Sequence, residues 1–369
     1  MRMRYRVPFV NPTKHYRSLK RELDAVILGC LDRGDLVARA ELNNFEQHFA
    51  EFIGTRFAVG LNSGYDALHL ALRAAGVGPG DEVVTVAHTF VATISAIVHV
   101  GASPVLVDVG KDFNMDMESL QRAITPRTKV VLPVHLNGRL CDMARLTEIA
   151  EEHGLLVIED AAQAIGATFG GRRAGSFGLA GCFSHYPFKI LGGFGDGGSL
   201  TTNDPEIARR VTLLRYNGED RQTGEYHYHG YTCLLDNVQA AVLDLKLAKL
   251  PRWIEWRRRI AALYHAGLSE IPEMRIPRFE DDRRFDIYQN YVVRVPQRDA
   301  LAVHLRAQGV ETLIHWAKPV WQHPGLSIPA QRLPETEQIC REVLSLPMSA
   351  ETTEEDVEYT VGCIRKFFH

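Results

Sequence analysis

The run Leu155-Leu-Val-Ile-Glu-Asp160-Ala-Ala-Gln163 carries four apolar residues straight into two carboxylates. A short Leu/Val/Ile run without polar alternation reads as a strand buried on both faces. Its neighbours repeat the form: Phe57-Ala-Val-Gly-Leu61, Glu82-Val-Val-Thr-Val86, Pro104-Val-Leu-Val107 and Lys129-Val-Val-Leu-Pro-Val134. Helical patterns fill the gaps at Asp66–Ala75, Phe90–Val100, Met117–Ile124 and Met143–His153. Strand and helix in alternation predict an α/β unit, a mostly parallel sheet covered on both faces. Ligands of such sheets bind beyond the carboxyl ends of the strands, which is where Asp160 falls.

Beyond residue 203 the pattern changes. Pro205–Tyr216 reads as a helix and Asn217–His229 as a polar loop. A long helical region runs from Leu235 to Leu268, with Pro251 breaking or kinking it. Gln289–Val295 then reads as a strand, Arg298–Gly309 as a helix and Thr353–Phe368 as a closing amphipathic helix. This predicts a division into residues 1–250, an N-terminal segment with the large domain, and 251–369, a smaller C-terminal α+β domain.

The chain has 369 residues, enough for two domains at roughly 150 residues each. Lys and Arg total 42 against 45 Asp and Glu, a net charge of −3 that lacks the basic excess of a nucleic-acid partner. An anionic small molecule needs only a local site and stays open. The basic start Met1-Arg-Met-Arg-Tyr-Arg-Val7 is followed by no apolar core of a signal peptide. No stretch reaches the roughly 20 apolar residues of a membrane span. Cys30, Cys141, Cys182, Cys233, Cys340 and Cys363 are scattered, which suits reduced thiols in a cytoplasmic protein.

The second decisive run is Ser184-His-Tyr-Pro-Phe-Lys189-Ile-Leu-Gly-Gly-Phe-Gly-Asp-Gly-Gly198. A lysine in crowded, apolar surroundings has a depressed pKa and is a better amine nucleophile. An acid facing a pyridine nitrogen keeps the ring protonated and strengthens it as an electron sink. Lys189 with Asp160 is the pair that a pyridoxal phosphate (PLP) ring requires. The same letters also suit a surface lysine in a turn and an aspartate capping a helix, and spacing does not choose between the two. Asn62-Ser-Gly-Tyr-Asp66 opens a helix just after a strand, where backbone N–H groups and the helix dipole attract an anion. Ser63 also reads as an ordinary N-cap there.

Several motifs, in order, resemble one family. They are Leu61-Asn-Ser-Gly-Tyr-Asp-Ala-Leu68, His88-Thr-Phe-Val-Ala-Thr93, Val134-His-Leu136, Ile158-Glu-Asp-Ala-Ala-Gln-Ala164 and Phe183-Ser-His-Tyr-Pro-Phe-Lys189. Gly195-Asp-Gly-Gly198, Leu235-Asp-Asn-Val-Gln-Ala-Ala241 and Ser345-Leu-Pro-Met348 complete the set. From about Val7 to Phe368 the chain resembles the DegT/DnrJ/EryC1/StrS sugar aminotransferases. The resemblance implies a fold-type-I PLP transferase with a seven-stranded, mostly parallel sheet. It implies that Lys189 carries PLP as a Schiff base and shuttles the proton, and that Asp160 pairs with the pyridine nitrogen. Gln163 would then bond the ring hydroxyl and Phe90 stack on the ring. Ser63, Gly64, Tyr65 and Ser184 would hold the phosphate, joined by Thr232 from a neighbouring copy. His315, Tyr186 and His185 would face the substrate. The implied reaction is a PLP-dependent, ping-pong amino transfer from L-glutamate to a nucleotide-linked keto-deoxysugar in amino-sugar biosynthesis. The implied assembly is a homodimer with shared active sites. The rivals are a cyclitol aminotransferase, a sugar dehydratase and a non-catalytic regulator; Lys189, where dehydratase relatives have histidine, speaks against the dehydratase.

Three positions depart from the family pattern: Tyr65 stands where threonine is usual, Thr232 where asparagine is, and Leu234 where arginine is. Gly193-Phe-Gly195-Asp-Gly-Gly198 fits a dinucleotide fingerprint by letter, but a strand-like Ser199-Leu-Thr-Thr202 follows it rather than a helix, so it reads as a turn beside the cofactor. His227 and His229 lack acidic or thiol neighbours, and no metal site is expected. Arg257, Arg258 and Arg259 read as a solvated helix face, with a diphosphate contact as the alternative.

Overall fold

The apolar runs do pair side by side. The computed structural model describes residues 5–277 and 281–368. Helices α1 (Pro12–Arg33) and α2 (Ala40–Ile53) precede β1 (Phe57–Leu61) and α3 (Gly64–Ala74). Then come β2 (Glu82–Val86), α4 (Val91–His99), β3 (Ser103–Val107), α5 (Met117–Ala123) and β4 (Thr128–Leu132). After α6 (Met143–Glu152) follow β5 (Leu156–Asp160), the two-residue strands β6 (Thr168–Phe169) and β7 (Arg172–Arg173), and β8 (Ala180–Ser184) and β9 (Gly198–Thr202).

The large sheet has seven strands in the order β1-β9-β8-β5-β4-β2-β3. Strands β8, β5, β4, β2 and β3 run parallel, and β9 pairs antiparallel with both β1 and β8. Six strands therefore point the same way, and their carboxyl ends share one edge. Val83, Val84, Val130, Val131, Ile158 and Leu200 fill the sheet at almost zero exposure.

After β9 come α7 (Pro205–Leu214) and a small hairpin of β10 (Glu219–Asp220) and β11 (Glu225–Tyr226). The segment that reads as a polar loop thus contains a paired turn, and His227 and His229 are exposed beside it. Among the described residues no group of three or more His, Cys, Asp or Glu could hold a metal ion. The long helical region is two helices, α8 (Asn237–Leu247) and α9 (Leu250–Leu268). Pro251 stands in the first turn of α9, where its missing N–H costs no helical bond.

The rest comprises β12 (Arg284–Phe285), β13 (Tyr291–Arg294), α10 (Arg298–Ala307), α11 (Pro334–Glu342), β14 (Val343–Leu346) and α12 (Glu354–Phe368). A second core gathers Ile260, Tyr264, Leu268, Tyr291, Leu301, Leu344 and Ile364, and Val7 from the far end of the chain joins it. Helix α9 carries the transition within itself, since Leu250 and Ile254 still belong to the first core. Among the described residues no helix is long and apolar enough to cross a membrane, and all six cysteines are buried and free.

The expected solvated arginine face fails. Arg257 is no part of a solvated face: it is 4% exposed and donates to the carbonyls of Tyr288, Gln289 and Met348. Arg258 likewise donates to the Asp286 carbonyl, and Arg259 alone stays at the surface, against Glu354. The cause is the placement of α9 between the two cores, which turns one arginine of the row inward.

Glu159 ties the sheet to the turn after β7. Its oxygens accept from the N–H groups of Gly175 (2.8 Å), Phe177 (2.7 Å) and Gly178 (2.9 Å), and His135 Nε2 lies 3.0 Å away. Removing that carboxylate would leave several buried donors unsatisfied. Glu159→Ala is expected to lower the unfolding free energy by about 3–5 kcal/mol, and Glu159→Gln by less, as read from urea midpoints. Wild-type stability in the alanine variant would refute this assignment.

Candidate active site

The shared sheet edge collects the residues that carry chemistry. Ser63 follows β1, Thr89 and Phe90 follow β2, His135 and Asn137 follow β4, Asp160 ends β5, and Ser184 ends β8. Asp160 is 6% exposed. Burial pushes its carboxyl above the usual range. Hydrogen bonds from Thr93 Oγ1 (2.8 Å) and the Ala162 N–H (3.2 Å), together with the Lys189 charge, pull the other way. Thr93 Oγ1 lies 2.9 Å from Thr89 Oγ1, which stands just ahead of the α4 N-cap. Two threonine hydroxyls in series therefore position the acid.

Lys189 sits half-buried in the loop between β8 and β9. Loss of water around its amine pushes the pKa down to about 8, against a smaller opposing pull from Asp160. Among the described residues no side chain hydrogen-bonds its Nζ. The loop itself is pinned on all sides. The Lys189 N–H donates to the Tyr186 carbonyl at 2.8 Å, and the Ile190 N–H donates to Gln289 Oε1 at 2.9 Å. The Phe194 N–H donates to Gln239 Oε1, and buried Lys246 Nζ donates to the Gly192 carbonyl at 2.6 Å. Gly193 and Gly195 serve close packing against Gln239.

A cradle lies at the start of α3. Ser63 caps the helix, its Oγ accepting from the Asp66 N–H and donating to Asp66 Oδ2. The first N–H groups of the helix, at Gly64 and Tyr65, have no intrahelical acceptor. A Cβ at Gly64 would stand 2.8 Å from Ser184 Cβ, and one at Gly198 would stand 2.1 Å from the Ser63 carbonyl oxygen. Glycine at both positions is what brings the β1 and β8 ends together. The Tyr65 hydroxyl is engaged elsewhere, 2.5 Å from His99 Nδ1, with its ring stacked on His69. What Tyr65 offers the cradle is its backbone N–H.

The other expected positions divide. Phe90 is the N-cap residue of α4 and is 59% exposed. Gln163 Oε1 accepts from the Asn137 N–H. His315 Nδ1 lies 2.7 Å from Ser345 Oγ, and burial, reinforced by the Lys189 charge, pushes its pKa down to about 4. Tyr186 is exposed and packs edge-on against Phe188. Thr232 is exposed, its hydroxyl donating to Asn217 Oδ1. His185 is different. It is fully buried between Phe45 and Phe49 and bonded to the Leu191 carbonyl and Ser199 Oγ. The expected substrate contact at His185 is thereby corrected: in the β8 pleat the residue after Ser184 turns into the core.

Four participants escaped the sequence reading. Thr93 stands four residues after Thr89 in the run His88-Thr-Phe-Val-Ala-Thr93, and that spacing across a helix start was the available signal. His88 is buried, pushed down to about 3 by desolvation, and packed edge-on against Trp316. Asn137 and Asn290 converge on Gln163 from distant segments, and no local pattern announces that.

A buried acid, a desolvated amine, an anion cradle and an open aromatic face together fit PLP. Fold and site define a fold-type-I, PLP-dependent aminotransferase. The chain belongs to the DegT/DnrJ/EryC1/StrS aminotransferase family, whose model matches residues 17–365. It is 42% identical over 366 residues to the dTDP-3-amino-3,4,6-trideoxy-alpha-D-glucose transaminase of Streptomyces venezuelae, covering 98% of this chain and 96% of the relative. It is 39% identical over 369 residues to a pleiotropic regulatory protein of Geobacillus stearothermophilus, covering 98% of each. The crystal structure of S. venezuelae DesV in complex with a ketimine intermediate superposes with a TM-score of 0.95 at 42% identity, covering 99% of both chains. The cofactor is PLP, and solved relatives hold it as such or in its amine form.

Two outcomes test this geometry. Thr93→Val removes a hydrogen bond that lowers the Asp160 pKa, so the carboxylate is less ionised and PLP affinity is expected to fall about tenfold, roughly 1.4 kcal/mol. Equilibrium dialysis would show it, and unchanged affinity would dismiss the threonine pair. The rate at which apo-protein captures PLP is expected to rise with pH and reach half its maximum near 8, where Lys189 loses its proton. A midpoint at the ordinary lysine value of 10.5 would contradict the desolvated amine.

Proposed function

We propose that this protein transfers an amino group from L-glutamate to a nucleotide-linked keto-deoxysugar, in two half-reactions, within the making of an amino sugar. The observation that carries the reading is the desolvated Lys189 amine in the field of buried Asp160, at the edge where Ser63, Gly64 and Ser184 meet. The name of the S. venezuelae relative supports a sugar nucleotide as the acceptor.

Bound PLP supplies an electron sink and a carrier for the amino group. Asp160, held by Thr93 and the Ala162 N–H, would face the ring nitrogen as the anion that keeps it protonated. The start of α3 with Ser184 would hold the phosphate, and Phe90 would cover one ring face and exclude water. Lys189, with its pKa near 8, is neutral in an appreciable fraction near neutral pH and would accept and return the substrate proton. His315, pushed down to about 4 and bonded to Ser345, is neutral and would present an uncharged edge to the substrate. Exposed Leu28, Leu31, Tyr186 and Phe188 support a homodimer that covers them, with Thr232 reaching a partner's phosphate site.

The regulator reading is favoured by the name of the G. stearothermophilus relative. Catalysis decides between the two. Purified protein is expected to be yellow, to bleach with glutamate, and then to regain colour with one member of a panel of dTDP-, UDP- and GDP-linked keto-sugars. Lys189→Ala should lose the bleaching and all turnover. A colourless protein, or one that glutamate leaves unbleached, would end the proposal.

A further inference from the structure

Gln163 sits at the start of the segment after β5, half-buried, three residues beyond Asp160. Its side chain is held from two directions. The backbone N–H of Asn137, just after β4, donates to Gln163 Oε1 at 2.9 Å. Asn290 Nδ2 donates to the same oxygen at 3.3 Å and to Asn137 Oδ1 at 3.3 Å. Asn290 is 7% exposed and immediately precedes β13, whose first residue, Tyr291, belongs to the second core. Asn137 adopts a left-handed backbone, φ 57°.

A backbone N–H can only donate, so its partner on Gln163 is the carbonyl oxygen and not the amide nitrogen. The Asn290 amide places a second donor on that oxygen. A carbonyl oxygen has two lone pairs, and both are engaged here. What remains of the Gln163 carboxamide is its NH2 group, a donor without acceptor capacity.

We infer that Asn290, with the Asn137 N–H, is a positioning residue that locks the Gln163 carboxamide so that an N–H donor faces the phenolic oxygen of PLP. The lock rests on Gln163 lying beside that ring oxygen. A donor there spreads the negative charge of the deprotonated oxygen and favours it, so the lysine–cofactor chromophore loses its proton at lower pH. The second core thereby reaches the electronics of the ring through one amide, with no contact to substrate. Asn290 tunes the chromophore through Gln163 alone, and the two substitutions are not additive.

The test is a spectrophotometric pH titration of the PLP-bound protein. Gln163→Ala is expected to raise the apparent pKa of the chromophore by about one unit. Asn290→Asp replaces the donor by an acceptor that repels Gln163 Oε1, and is expected to raise it by a similar amount. Asn290→Ala, which only loosens the amide, should raise it by about half a unit and serves if the aspartate disturbs folding. The double variant Gln163→Ala with Asn290→Asp should titrate like Gln163→Ala alone. The lock is overturned if both Asn290 variants titrate as wild type while Gln163→Ala shifts, or if the double variant shifts well beyond Gln163→Ala. A Gln163→Ala titration identical to wild type overturns it through the placement of Gln163. Each of these failures leaves PLP binding and the Lys189 chemistry standing.

Discussion

Asp160 is a carboxylate taken out of water at the end of a buried strand, and much of the architecture exists to make that tolerable. An ionised carboxyl in such a place carries a heavy desolvation penalty unless charge and hydrogen bonds offset it. The Thr93 hydroxyl, the Ala162 N–H and the Lys189 charge offset part of it, and the net balance still pushes the pKa up. A carboxyl with a raised pKa suits a cationic partner, and this one lies at the sheet edge where other strand ends bring Ser63, Gly64 and Ser184 together near the Lys189 amine. Next to it, Glu159 faces the opposite side of the pleat and serves structure only, capping the backbone of residues 175–178. Adjacent carboxylates take opposite roles because a strand alternates its side chains.

The amine is held with equal care. Gln289, Gln239 and Lys246 grip the loop around Lys189 from three directions, and each lies far from it in sequence. A mobile lysine would lose much of its desolvation and with it the lowered pKa. The Lys246 contact also buries a second amine, itself pushed down to about 8. The chain accepts one buried charge in order to fix another.

Much of this was legible in order along the chain. Unbroken Val/Leu/Ile runs between helical patterns announced β1 to β5 within a residue or two, because a sheet buried on both faces needs no polar alternation. Pro251 marked the gap between α8 and α9. Helix α1 buries only Leu23 and Cys30 and leaves Leu28 and Leu31 exposed, a face without a strong core stripe to announce it; α2 does carry such a stripe, Leu42, Phe45, Phe49 and Ile53, and the spacing was there to be read. The inward turn of Arg257 was invisible for a related reason: three arginines in a row look solvated until a second core packs against one of them.

The candidate site divides along the same line. Sequence by itself determined the residue types and their local settings: an acid ending an apolar strand, a lysine in a glycine-flanked run, and Ser63-Gly64 opening a helix. These are local consequences of strand periodicity, capping and backbone freedom. Only the tertiary structure decided how those settings combine. It put Thr93 on Asp160, turned His185 into the core and the Tyr65 hydroxyl toward His99, and closed Asn290 onto Gln163 across 127 residues. The physical reason is that a hydrogen bond between distant segments depends on how whole strands and helices pack. No spacing within one segment encodes that packing.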